Sequence, residues 1–390
     1  MRKFERCFTV LSTVLLVSIY AFFSVIRTEK LENIYQHHSS DVYDSLRVKS
    51  YYPPNQARSE FIIDKFFLVP SAEFNSSDVT LLSQGDISAV EENLENLCEY
   101  WKGPLSIAAY NHGYSYNQIR CYLINLQKCS PCLQKYLSLH LVSFRNYYDE
   151  SDPVSCSSSC SKTQALPEHL NPPNENFYYP NNILRNVARK TLQTDWQFMV
   201  DIDLIPSEHA RSSFLELAEK ENLDIDAKTA YVLPAFEAKK KSQAPRIRSD
   251  LVKRYMNDVQ PFHNWCQICY VKSQNYNKWI ELDKSNKKPQ NDEVSLSYEI
   301  QYHKPFEPYY IAGNTKDLPL FREEFRGYGY NKVEQSYEMS VRKWKFITLD
   351  SQFVTHQGWK EPTQSSPAKT KQQEHNEKLF KAFNKELHQK

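Results

Sequence analysis

Glycine is scarce in this chain, with seven in 390 residues, and neither G-x-G-x-x-G nor G-x-x-x-x-G-K-[ST] occurs. The common dinucleotide and P-loop folds use such glycines to bring backbone amides against phosphate, so both are disfavoured. An excess of one charge is also missing: 48 Lys and Arg stand against 47 Asp and Glu, a net charge of +1. Nucleic acid is therefore not an expected partner. There is no internal repeat, and no Pro/Gly/Ser-rich linker divides the middle of the chain. Aromatic residues are plentiful, at 14%. Together these features predict one large folded domain.

The two ends differ from the middle. Residues 8–26 carry no charge, and as a helix they would be about 28 Å long, enough to cross a bilayer core. Arg2, Lys3 and Arg6 precede this segment, while Arg27 and Lys30 beyond it are offset by Glu29 and Glu32, which places the amino terminus in the cytoplasm. Ala21-Phe22-Phe23-Ser24 is a poor signal-peptidase exit, so a retained signal anchor is expected. The predicted organisation is a cytoplasmic tail over 1–7, a transmembrane anchor over 8–26, a stem over 27–56 and a lumenal domain over 57–390. All the cysteines except Cys7 lie beyond the anchor, which suits disulfides in an oxidising compartment. Two C-x-x-C pairs, Cys129/Cys132 and Cys266/Cys269, leave a shared zinc site as the alternative, against their wide separation. Asn75-Ser76-Ser77 is a glycosylation sequon, on the lumenal side as this topology requires.

Within the domain, apolar patterning predicts strands over 78–83, 105–109, 137–143 and 196–200, and helices over 88–101, 117–127 and 182–191. This alternation implies a parallel or mixed sheet with helices on both faces, whose ligands bind at the carboxyl edge of the strands. From residue 374 onward, Leu379, Phe380, Phe383 and Leu387 recur at helical spacing, predicting a helix that docks on the domain. The Lys- and Gln-rich stretch over 363–373 reads as a solvated linker.

The strand at 196–200 runs into Asp201-Ile202-Asp203. Alternation along an extended chain sends residues i and i+2 to one side, so the two carboxylates can converge while Ile202 points into the core. Paired oxygen ligands of this kind suit Mn²⁺ or Mg²⁺ that also holds a phosphate. Gly313, Gly327, Gly329 and Gly358 fall late in the chain, two of them in Phe325-Arg326-Gly327-Tyr328-Gly329-Tyr330-Asn331-Lys332. They fit either a close backbone approach to a ligand or an ordinary tight turn.

Five ordered segments carry a family resemblance: Pro180-Asn181-Asn182-Ile183-Leu184-Arg185-Asn186-Val187-Ala188-Arg189, Asp201-Ile202-Asp203-Leu204-Ile205-Pro206-Ser207, Leu233-Pro234-Ala235-Phe236-Glu237, Gly327-Tyr328-Gly329-Tyr330-Asn331-Lys332 and His356-Gln357-Gly358-Trp359-Lys360. In order and spacing the chain resembles glycosyltransferase family 49 over about residues 79–387. The resemblance implies an α/β GT-A glycosyltransferase fold, a mixed, mostly parallel sheet flanked by helices. It further implies a type II Golgi membrane protein and inverting transfer of glucuronic acid from UDP-glucuronate to a glycan on a glycoprotein, with Mn²⁺ or Mg²⁺. Transfer of N-acetylglucosamine from UDP-N-acetylglucosamine, and a non-catalytic glycan-binding descendant, stay open as alternatives. The state of assembly, homo- or hetero-oligomer, also stays open.

Against that background Asp201, Asp203 and His356 are the expected metal ligands. Tyr110 and Asn111, Arg185 or Arg189, and Lys360 are the expected donor-binding residues: Tyr110 and Asn111 at the strand end where such a fold places uridine, an arginine for a sugar carboxylate or phosphate, and Lys360 for the diphosphate. Glu237, Gly327, Tyr328, Gly329 and Asn331 are assigned to the acceptor or the transferred sugar. Inversion needs a base, and Glu323 is the candidate. Family members often read Tyr-Asp-Glu-Arg-Phe where this chain has Phe321-Arg322-Glu323-Glu324-Phe325. Arg322 and Glu324 are thus departures from the pattern, and they keep the non-catalytic alternative alive.

Overall fold

The computed structural model describes residues 49–51, 60–145, 155–157, 159–161, 164–169, 178–264, 266, 271–282, 294–360 and 366–389. The tail and anchor expected over 1–26 lie outside the described residues, as does most of the stem. Among the described residues no helix is long and apolar enough to cross a membrane.

Strands follow one another as β1 (Lys49–Tyr51), β2 (Phe61–Leu68), β3 (Val79–Asp86), β4 (Leu105–Asn111), β5 (Leu137–Phe144), β6 (Trp196–Met199), β7 (Leu204–Pro206), β8 (Thr229–Leu233), β9 (Ala235–Ala238), β10 (Val259–Pro261), β11 (Leu296–Glu299), β12 (Tyr309–Gly313), β13 (Lys345–Leu349) and β14 (Val354–Gln357). One large sheet has the order β1-β2-β5-β4-β3-β6-β12-β8-β13-β11, and a small one the order β10-β9-β14-β7. In the large sheet the parallel pairs are β5-β4-β3-β6 and β8-β13, with β12 antiparallel between the two blocks. The fold is a mixed α/β arrangement, mixed rather than mostly parallel. β1 pairs with β2 at the sheet edge, so part of the segment expected as stem belongs to the domain.

Period-two alternation builds a core on each face of the parallel block. Leu81, Ile107, Ala109, Leu139, Leu141 and Phe198 point to one side, against the helices Ile87–Trp101 and Tyr116–Cys129. Leu82, Ala108, Tyr110, Val142 and Met199 point to the other, where the helix Asn181–Arg189 covers them with Ile183, Leu184, Val187 and Ala188. Every element expected from the sequence in this block is found to within a few residues.

Disulfides Cys98–Cys132, Cys121–Cys156 and Cys129–Cys160 staple the first face. Each closes a loop of 31–35 residues, worth about 3–4 kcal/mol by the chain-entropy account. Cys266 is also disulfide-bonded. The alternative of a zinc site shared by the two C-x-x-C pairs is thereby overturned, since Cys129 and Cys132 are committed to bridges with other partners.

The carboxyl-terminal helix begins at Pro367 and runs to Gln389, so most of the expected linker is helical. Its Phe380 and Phe383 pack with Phe325 and Val333. Its earlier turns lie against the Gly327–Gly329 turn: a Cβ on Gly327 would meet Gln372 Oε1 at 2.4 Å, and one on Gly329 would meet Gln373 Cγ at 3.3 Å. Both glycines have positive φ, 68° and 87°. They admit the helix, and no ligand is needed to explain them.

Candidate active site

The helix Asn181–Arg189 carries a buried polar stripe. Asn182, Arg185, Asn186 and Arg189 recur at intervals of three and four, so they share one side. Each holds part of the segment 315–334. Arg189 donates to the carbonyls of Pro319 (2.6 Å), Leu318 (2.7 Å) and Thr315 (3.3 Å). Asn186 donates to Phe321 O and to Glu323 Oε1 (2.9 Å), and Asn182 donates to Arg322 O. Arg185 Nη1 donates to Asn331 Oδ1 and Asn182 Oδ1, both at 2.8 Å. The helix is therefore a rail on which the loop bearing Glu323, Asn331 and Lys332 is hung.

At the end of β6, Ile202 is buried while Asp201 and Asp203 keep partial exposure. Asp201 Oδ2 accepts from Lys332 Nζ (2.7 Å) and Tyr309 Oη (2.8 Å), with Arg185 Nη2 3.6 Å from Oδ1. Asp203 Oδ2 accepts from Lys360 Nζ at 2.9 Å and lies 3.3 Å from His356 Nε2. β14 delivers His356 beside β7, pairing it with Leu204. Burial pushes the Asp201 carboxyl up, but Lys332 and Arg185 outweigh it and hold its pKa below the ordinary value. For Asp203 the hydrogen bond from His356 and the charge of Lys360 outweigh burial more strongly, and its pKa falls well below the carboxylate range. Both aspartates are thus ionised; three cations, Arg185, Lys332 and Lys360, face them, and Glu307, 3.5 Å from Lys332, balances the third.

The donor set fits a hard divalent cation. His356 Nδ1 lies 2.6 Å from the Gly358 carbonyl, which can only accept, so Nδ1 carries the proton. With Nδ1 protonated, Nε2 meets the Asp203 carboxylate either by donating its own proton, as the imidazolium, or, in the neutral ring, as a ligand to a metal ion shared with that carboxylate. Among the described residues no three His, Cys, Asp or Glu side chains are gathered closely enough to hold an ion on their own. Asp203 and His356 are adjacent, whereas Asp201 is turned to Lys332.

The remaining expected residues have other commitments. Arg189 is a loop clamp buried among carbonyls, not a donor ligand. Asn111 is fully buried and holds the turn at Tyr114 through both ends of its amide. Tyr110 is likewise buried, beneath His112 at 5.1 Å and against Tyr179. His112 is the partly exposed group at that strand end; burial and its neighbour His169 lower its pKa. Glu237 is fully buried and accepts from the His263 backbone N–H and the Gln260 amide, so it anchors a loop rather than meeting an acceptor. Asn331 ties Arg185 to Gly327, Tyr328 is exposed beside the carboxyl-terminal helix, and Asn75 is exposed in a turn closed by Ser77.

Three site residues carry no sequence signal of their own. Lys332 ends the Gly327–Lys332 segment without standing out from it, and Tyr309 lies within an apolar strand. His263, with φ 52°, lies in a loop next to Lys332, Lys360, His356 and Asp201. Burial and the surrounding positive charge lower its pKa to about 4, so its imidazole is neutral. Arg322 is bound to Glu338 and Glu386, which gives the departure at that position a structural partner in the carboxyl-terminal helix.

Comparison with known proteins places this geometry. The chain is 29% identical to beta-1,4-glucuronyltransferase 1 of Homo sapiens over 326 residues, covering 80% of this chain and 75% of that protein. It is 26% identical to the xylosyl- and glucuronyltransferase LARGE1 of Homo sapiens over 296 residues, 74% of this chain and 32% of that protein. A crystal structure of GalNAc-T7 with UDP, GalNAc and Mn²⁺ superposes over 77% of this chain and 48% of its own, at 9% identity and a TM-score of 0.37, too slight a likeness to carry argument. The model of family 49, described as the glycosyl-transferase for dystroglycan, matches residues 78–390. The chain belongs to glycosyltransferase family 49.

Proposed function

We propose that this glycosyltransferase is an inverting enzyme of GT-A architecture that transfers glucuronic acid from UDP-glucuronate to a glycan acceptor. The observation that carries the reading is the pair of ionised aspartates with His356 Nε2 3.3 Å from Asp203 and the ammonium groups of Lys332 and Lys360 beside them. The choice of glucuronate is supported by the relatives, which are named for that transfer. Asp201, Asp203 and His356 would hold Mn²⁺ or Mg²⁺, which when bound neutralises charge developing on the departing diphosphate. Lys332 and Lys360 add two ammonium groups at the same carboxylates. The acceptor hydroxyl oxygen bonds to the anomeric carbon as that carbon's bond to the β-phosphate oxygen breaks, and UDP leaves with the electron pair. The hydroxyl proton passes to a carboxylate, for which we assign Glu323, oriented by Asn186 at 2.9 Å. The same reading makes the protein a type II Golgi membrane protein, in keeping with its disulfides.

The test is a donor screen on the purified full-length chain, following UDP release with Mn²⁺ from UDP-glucuronate, UDP-N-acetylglucosamine, UDP-xylose and UDP-galactose, with and without a xylose-terminated acceptor. Acceptor-stimulated turnover of UDP-glucuronate alone is expected. Turnover of another donor in its place would refute the glucuronate assignment.

A further inference from the structure

Glu334, in the first turn of the helix Val333–Val341, is a fully buried carboxyl group just beyond Lys332 in the chain. We propose that Glu334 is a positioning residue: held as the neutral acid, it hangs the loop that carries Glu323 on the helix Asn181–Arg189. The proposal rests on the reading of Glu323 as the base and adds what keeps that base in place.

The hydrogen bonds define a clasp. Glu334 Oε1 accepts from the Arg322 N–H at 3.0 Å and from Asn182 Nδ2 at 3.2 Å. The Asn182 amide cannot be turned over, because its Oδ1 accepts from Arg185 Nη1 at 2.8 Å while Nδ2 also donates to Arg322 O at 2.8 Å. Both backbone polar groups of Arg322 are therefore pinned, one by Glu334 and one by Asn182. Asn186 does the same for Phe321, accepting from its N–H and donating to its carbonyl. Glu323 follows directly on this fixed backbone, with its own Oε1 bonded to Asn186.

The surroundings of the carboxyl require a proton on it. Oε1 receives two donors, so it is the carbonyl oxygen and the proton belongs to Oε2. Oε2 is closed to solvent and has no hydrogen-bond partner among the described residues. An anion buried there would need a cation. The cations on the packed elements are engaged elsewhere: Arg322 with Glu386 at 3.2 Å and Glu338 at 3.8 Å, Arg185 with Asn331 and Asp201, and Lys332 with Asp201 and Glu307. Glu338, four residues along the same helix and bound to Arg322 and Arg342, adds like charge, as does Glu324. From β12, Tyr310 brings a hydroxyl rather than a charge, and that hydroxyl donates to Gln335. Burial accordingly pushes the Glu334 pKa well above the ordinary carboxylate value; Glu338 and Glu324 add to the rise, and the Arg322 N–H and guanidinium oppose it without prevailing.

The test compares the full-length chain with Glu334→Gln, which keeps an acceptor oxygen but has no proton to lose, and Glu334→Leu, which fills the space without an acceptor. Denaturant unfolding is followed from pH 5.5 to pH 7.5. The unfolded carboxyl ionises near 4.5, and a raised folded pKa gives stability that is complete below that value and lost as pH rises toward the folded one. The unfolding equilibrium constant of the wild type should therefore rise relative to that of Glu334→Gln by about tenfold per pH unit, until the native carboxyl itself ionises. Turnover of a UDP-sugar in Mn²⁺ is measured beside UDP affinity. Glu334→Leu should lose about tenfold or more in kcat with UDP affinity held within about twofold, and Glu334→Gln should restore the turnover. A ratio of unfolding constants that does not change with pH would show an ionised carboxyl and overturn the proposal. So would full turnover in Glu334→Leu, or a loss in Glu334→Gln equal to that in Glu334→Leu. Should Glu334→Leu not fold, the unfolding ratio and the turnover of Glu334→Gln still decide. Failure of the underlying reading shows differently, as turnover that survives Glu323→Gln while the unfolding ratio keeps its slope.

Discussion

Asn376 offers a decisive perturbation, because one buried amide fastens the loop that supplies Lys332. It is fully buried, and its Nδ2 donates to the carbonyls of Arg326 (2.9 Å), Tyr328 (3.1 Å) and Gly329 (2.8 Å). Asn376→Ala leaves those carbonyls without their donor at a site closed to water. With two N–H groups lost and a buried acceptor costing about 1–3 kcal/mol, the expected destabilisation is about 2–4 kcal/mol. Asn376→Asp is the sharper change. It preserves shape, removes both donors and turns a second oxygen toward the three carbonyls, so it should cost at least as much as alanine despite filling the space. Denaturant unfolding measures both, and turnover at saturating substrates reports whether Lys332 still reaches Asp201. A chain with Asp at 376 as stable as the wild type would refute the reasoning, because packing rather than donation would then hold the helix to the turn.

Lys332→Met removes the ammonium group 2.7 Å from Asp201 and should weaken UDP binding in Mn²⁺ about 10- to 100-fold, the scale of a charged hydrogen bond; calorimetric titration measures it. Glu323→Gln keeps a partner for Asn186 and should abolish turnover with little change in UDP affinity, and surviving turnover would place the base elsewhere. His140 is fully buried between the Phe66 N–H and the Ser106 and Thr191 hydroxyls, and burial holds its pKa at about 3. A depressed histidine pKa gives stability that is complete above the unfolded value near 6.5 and shrinks as pH falls. About 2 kcal/mol should therefore be lost between pH 7 and pH 5, and His140→Asn should flatten that slope in denaturant titrations.

The parallel half of the fold was legible because its strands and helices follow local periodicities, and Asp201 and Asp203 were legible because a buried strand ends on them. What escaped is set by partners distant in sequence. Arg185 and Arg189 look like ligand-binding cations, yet their carbonyl and amide partners lie more than a hundred residues away. Gln372 lies in a segment whose polar composition reads as solvated, but its side chain accepts from the Tyr328 N–H and its helix covers the Gly327–Gly329 turn. His263 occupies a loop at positive φ where no pattern marks it, and only the assembled sheets bring it to the aspartates.

The central claim, that Asp201, Asp203 and His356 form one metal site for a nucleotide diphosphate, is tested most directly by titrating UDP into the full-length chain with Mn²⁺ and again with EDTA. The same titrations are repeated on the Asp201→Ala, Asp203→Ala and His356→Ala variants. The account predicts UDP affinity that collapses on chelation and falls at least tenfold in each variant. UDP affinity indifferent to Mn²⁺, or unchanged in the three variants, would contradict it.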